Sequence, residues 1–114
     1  MSGESEINIF RALDYIRDNA PKYAKARAER VYLEEFRKSK KALLMRIAEQ
    51  KGFASAVSQE REAYADNDYQ ALLLGLKDAV EAEETLRWQF VSAQAKIEVW
   101  RTIEANKRAE AKNL

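Results

Sequence analysis

The chain has 114 residues, enough for one domain of ordinary size and short of two. It contains no cysteine and no histidine, which excludes thiol nucleophiles, disulfides, the usual zinc ligands and the one side chain that titrates near neutral pH. Twenty basic residues against nineteen acidic ones leave a net charge of +1, so any electrostatic function depends on how the charges are distributed.

Three glycines and one proline leave little to punctuate turns, and Ala, Leu, Glu, Lys, Arg and Gln dominate. That composition predicts an all-α chain. No apolar run approaches the roughly 18 residues of a membrane span, and Met1-Ser2-Gly3-Glu4 opens without a basic and then apolar leader. The expectation is a soluble cytoplasmic protein with no membrane partner.

In chain order, Ile7, Phe10, Leu13 and Tyr15-Ile16 recur at helical spacing behind a capping Ser5, predicting a short helix over about 5–19. Asn19-Ala20-Pro21 predicts a boundary, because proline disfavours helical geometry at the residue before it and suits the first turn of a new helix. A long helix over about 22–65 follows. Its only glycine is Gly52, which a long helix tolerates either straight or with a kink at that point, and Leu33, Phe36, Lys40, Leu43, Ile47, Gln50, Ala54, Val57, Arg61 and Tyr64 step by three and four as a coiled-coil seam.

Asp66-Asn67-Asp68 reads as a turn, with Asn67 or Asp68 capping a second long helix over about 69–109. The seam of that helix is Tyr69, Leu72, Leu76, Ala79, Glu83, Leu86, Phe90, Ala93, Ile97 and Trp100. The tail, 110–114, loses the period and is expected to fray. The architecture implied is a single helical domain: a long antiparallel helical hairpin, coiled-coil-like, with a short N-terminal helix. A reversal centred on Asn67 sets Glu83 opposite Gln50 and Lys51. It also sets Arg61 among Leu72, Leu73 and Leu76, from which its head group must snorkel.

A second stripe on the last helix, Trp88, Val91, Ala95 and Val99, lies roughly opposite the Leu86–Phe90 seam. One hairpin partner cannot cover both faces, so either the first helix folds over this stripe or another copy does. A homo-oligomer is the expectation, with these four residues as its interface.

Positive charge is segregated. Residues 22–51 carry ten basic and four acidic groups, while 52–75 and 76–104 are net acidic. Lys22, Lys25, Arg27 and Arg30 are interleaved with Tyr23, and Arg37, Lys38, Lys40 and Lys41 follow Tyr32 and Phe36. Cations beside aromatic rings hold phosphates while the rings stack on bases. The plainer account is that these are solvated coiled-coil faces, paired with Glu34, Glu35 and Glu49. The acids Asp78, Glu81, Glu83 and Glu84 crowd one helix and do not converge on a metal, and Asp66-Asn67-Asp68 lacks the glycine of a calcium loop. Ser39, Ser55, Ser58 and Ser92 have no histidine to activate them. No catalytic residue, metal or cofactor is expected.

The order of features resembles the phage recombination mediators of the UvsY type. The resemblance is carried by a short N-terminal helix, Tyr23 among small and basic residues, Lys40-Lys41 leading into Leu44-Met45-Arg46-Ile47 and Glu49-Gln50-Lys51, Arg61 three before Tyr64, and a last long Leu- and Trp-bearing helix. It is close in residue identity over about 40–51. Glu-Ala-Tyr and Lys-Lys-Ala-Leu-Leu-Met also resemble small helical proteins from the early regions of tailed-phage genomes.

The first resemblance implies a ring-forming helical protein that binds single-stranded DNA and helps load a recombinase where single-strand-binding protein would block it, in the host cytoplasm. The family's DNA contacts carry over as Arg61 and Tyr64, while its lysine and second aromatic fall on Gln59 and Ala65. The expected function is therefore non-enzymatic binding of single-stranded DNA in phage recombination or replication, through Lys22, Lys25, Arg27, Arg30, Arg37, Lys38, Lys40, Lys41, Arg61 and Tyr64. The alternative is a coiled-coil module that binds a host or phage protein and no nucleic acid.

Overall fold

The computed structural model describes residues 7–113. It is all-α, with helices α1 (Ile9–Gln50), α2 (Ala56–Ala65) and α3 (Asn67–Lys112). Among the described residues there is no strand, and no helix is long and apolar enough to cross a membrane. The chain forms two compact units: Ala24–Glu83, and the described residues of Met1–Tyr23 with Glu84–Leu114. In each, a stretch of α1 packs antiparallel against a stretch of α3, the arrangement of a helical hairpin. The expected cap Ser5 and the last tail residue, Leu114, lie outside the described residues.

Pro21 does not divide the chain. α1 runs through it, so the short helix over 5–19 and the restart at 22 are corrected to one helix from Ile9. An interior proline removes a backbone hydrogen bond and costs about 3 kcal/mol in isolation. Packing on both sides of it offsets that cost. Tyr15 and Tyr23 straddle Pro21 and both lie against Phe90, with ring centroids 5.6 and 5.1 Å away.

The expected helix over 22–65 breaks instead at Gly52. Gly52 adopts φ +105°, a left-handed conformation open to glycine at little cost. Its N–H donates to the Glu49 carbonyl at 3.0 Å, and the Phe53 N–H donates to the Ala48 carbonyl at 3.1 Å. These two bonds form the Schellman arrangement that closes a helix. Ser55 then caps α2 by accepting the Ser58 N–H at 3.1 Å.

The turn over 66–68 shrinks to a single residue. The Asp66 N–H donates to the Ala63 carbonyl, and its carboxylate accepts the N–H groups of Asp68 at 2.8 Å and Tyr69 at 3.1 Å. Asp66 is the cap, in place of Asn67 or Asp68, and α3 begins two residues before the expected start and ends at Lys112.

On α3 every expected seam residue, from Tyr69 to Trp100, is buried or half-buried. On α1 the seam is rotated. Leu33 and Lys40 face inward as expected, but Arg37, Leu44 and Ala48 replace Phe36, Leu43 and Ile47, which are exposed. The buried apolar residues of the described chain are Ala12, Ala48, Ala63, Tyr69 and Ala93, four of them alanines. Of the expected seam beyond Gln50, Ala54, Val57, Arg61 and Tyr64 are all exposed, because the loop and α2 take that stretch off the axis of α1.

Glu83 is the buried charged residue of Ala24–Glu83, at 7% exposure, and it meets Arg30 rather than Gln50 and Lys51. Arg30 donates to it through Nε and through Nη2 (3.2 Å), and through Nη1 to Glu34 at 3.0 Å. The register differs from the expected one by about twenty residues because 51–66 fold back as a loop and α2 instead of extending both helices. Arg61 consequently sits exposed on α2 and not among Leu72, Leu73 and Leu76.

Removing one partner of a withdrawn ion pair leaves the other uncompensated, whereas apolar replacement of both relieves the penalty. Glu83→Ala is therefore expected to cost about 2 kcal/mol in urea unfolding followed by circular dichroism. Joining Glu83→Leu to Arg30→Met should recover most of that loss.

Candidate nucleic-acid interface

Within Ala24–Glu83 the cations read from the sequence fall into two groups. Lys25 and Arg27 are exposed on α1 and make no ion pair among the described residues. Arg46, not singled out as a binding residue by the sequence, is exposed and equally unpaired among them. Arg37 is half-buried on the side of α1 that faces α3. Lys22, in the other unit, is exposed on α1.

The four remaining cations of α1 are engaged within the chain, whereas Arg61 on α2 is exposed and makes no ion pair among the described residues. Arg30 is held by Glu83 first and Glu34 second, whose hydrogen bonds push its guanidinium further above an already high ordinary value. Lys38 pairs with Glu35 at 3.3 Å and Lys40 reaches Asp68 at 3.9 Å. Lys41 pairs with Glu60 of α2 at 2.9 Å and lies 4.8 Å from the centroid of the Tyr64 ring. Tyr64 also tilts against Tyr69, 5.5 Å between centroids. Arg61 and Tyr64 are thus both on α2, with Tyr64 covering Lys41.

This grouping follows from helical geometry. A step of 100° per residue spreads a dense basic run around the whole helix, so some members must face the neighbouring helices. Those at positions 30, 37, 40 and 41 do, and acids on α3 and α2 meet three of them. The Lys41–Glu60–Tyr64 cluster escaped the sequence reading because it depends on α2 folding back, and the signal for that was Gly52 followed by Ser55.

Tyr32 and Phe36 stack on one another on the exposed side of α1, with centroids 5.9 Å apart and planes 12° from parallel. On the outer face of α3, Trp88, Val91, Ala95 and Val99 are all exposed, as expected of an uncovered stripe. The N-terminal part of α1 packs on the opposite side, at Phe90, and does not fold over them. The Arg87 guanidinium lies over the Trp88 ring at 4.7 Å. No group of acidic residues among the described residues is placed to hold a metal ion.

Tyr64 first and Glu60 second hold the Lys41 ammonium in its charged form, raising its pKa above the ordinary value of 10.5. A raised cation stabilises the fold fully below its unfolded value, and that contribution fades only as the pH climbs past the folded one. The α2 contact is therefore expected to hold unchanged between about pH 6 and 9. Lys41→Met should speed amide hydrogen exchange across Ala56–Ala65 and leave the exchange of 70–83 as it was. Compared with known proteins, the chain matches no family model, no curated protein and no solved structure.

Proposed function

We propose that this chain is a non-enzymatic helical protein whose copies associate through the outer face of α3 and bind single-stranded DNA along α1, assisting phage recombination or replication by helping a recombinase load against single-strand-binding protein. The observation that carries the reading is the uncovered stripe on α3, where Trp88 is 59% and Val99 50% exposed at helical spacing with Val91 and Ala95. An exposed apolar stripe rimmed by charge is characteristic of a protein interface.

The nucleic-acid part rests on the resemblance to the recombination mediators and on Lys25 and Arg27, which no acid among the described residues neutralises. Two cations per chain attract a phosphate backbone weakly, and repetition across copies multiplies the effect. Arg30 and Lys41 are set aside as DNA contacts, because using them would release Glu83 and Glu60. Those ion pairs favour the second reading, a coiled-coil module that binds a host or phage protein without nucleic acid.

Light scattering with and without a single-stranded 30-mer separates the two readings. The proposal expects an assembly larger than the monomer, reduced in mass by Trp88→Glu, that takes up the oligonucleotide. Its log affinity should fall against log salt by about 0.7 for each phosphate contacted. Lys25→Glu with Arg27→Glu should reduce binding at least tenfold and leave helicity and assembly intact. No uptake at micromolar protein and low salt removes the nucleic-acid reading and leaves the protein-binding one.

A further inference from the structure

Because the α1 seam is rotated, Tyr32, Phe36, Leu43 and Ile47 form an exposed strip along one side of α1 within Ala24–Glu83. Tyr32 is 62% exposed and Leu43 50%, and the other two are also exposed. At 100° per residue the strip lies about a quarter turn from the side that carries Leu33, Arg37 and Leu44 toward α3. The spacing of the strip is symmetric about a point between Ser39 and Lys40. Reversed end to end, it brings Tyr32 against Ile47 and Phe36 against Leu43, so the strip is complementary to itself.

The flanking charge is nearly as symmetric, about a point one residue further on, between Lys40 and Lys41, a mismatch of about 3 Å along the helix that long side chains span. Glu35 and Arg46 stand on one flank of the strip, on the side away from α3. In an antiparallel pair related by a two-fold axis, like flanks meet, and Glu35 of each copy falls beside Arg46 of the other. Both residues are exposed. Arg46 makes no ion pair among the described residues, and Glu35 has only Lys38, three residues on along its own helix. Lys40, the cation nearest the axis, is directed to Asp68 of its own chain.

We propose that this strip is a self-docking surface on which a second copy of the chain packs antiparallel, α1 against α1, with Phe36–Leu43 contacts at its centre and reciprocal Glu35–Arg46 pairs at its edge. The surface is distinct from the Trp88 stripe on α3 and requires no nucleic acid. Together the two faces give each chain two independent ways of meeting its copies.

The test is sedimentation equilibrium of the full-length chain carrying Trp88→Glu, which removes the α3 face and leaves the α1 face to act alone. The expected result is a dimer. Phe36→Glu should convert it to monomer with unchanged helicity. Glu35→Arg or Arg46→Glu should each weaken it by about tenfold, since two symmetry-related contacts reverse sign at once. Combining Glu35→Arg with Arg46→Glu should restore the original affinity. A monomer at the highest soluble concentration, a dimer indifferent to Phe36→Glu, or a charge swap no tighter than the single variants would each overturn the proposal. None of these outcomes bears on association through α3 in the chain with Trp88 intact.

Discussion

A carboxylate that has lost most of its water needs a cation at hydrogen-bonding distance, and Glu83 finds one in Arg30. The arrangement of Ala24–Glu83 follows from that pairing. With these two residues level, α1 must end and α3 must begin well apart in sequence, and the residues between them exceed what a turn requires. They form the loop at Gly52 and the ten residues of α2. Lys40 is then level with Asp68, and Lys41 is left facing α2, where Glu60 and Tyr64 receive it. One polar contact in an otherwise alanine-rich packing surface thus sets the register for the contacts around it.

Much of this was legible in the sequence, and unevenly so. The seam of α3 was readable residue by residue because its apolar repeat has a single polar exception and a clearly separate second stripe. α1 carries two neighbouring apolar stripes, and spacing alone does not say which of them a neighbour covers. The stripe with the larger residues, Phe36, Leu43 and Ile47, was the natural choice. The structure uses the side on which Ala48 permits close approach and Arg30 can reach Glu83. Pro21 misled for a related reason. Local preference argues for a break there, but Tyr15 and Tyr23 share the Phe90 ring and hold the helix through it. Gly52 misled in the opposite sense, since a glycine tolerated inside a helix and one that ends it look alike until Ser55 is recognised as the next cap.

The candidate site was legible as a concentration of charge and illegible as a surface. Ten basic residues between 22 and 51 are visible in any count, but whether an acid meets each depends on a register that the count does not contain. Folding divides them into cations that hold the helices to one another, Arg30 and Lys41 above all, and cations that face solvent, Lys25, Arg27 and Arg46 among them. Aromatic residues divide in the same way. Tyr15, Tyr23 and Phe90 cluster inward, while Tyr32, Phe36 and Trp88 remain outside. The outward set is what a partner would meet.

Asp66 is the whole of the connection between α2 and α3. Its amide closes the earlier helix while its carboxylate opens the later one. A joint with both of its functional groups committed has no slack. α2 cannot swing as a flap on that side without unwinding the first turn of α3, and the pair behaves mechanically as a bent lever. Chain length there is accordingly fixed, and an added residue would split the two duties between neighbours. The five-residue stretch before α2 is where the protein can absorb change in length.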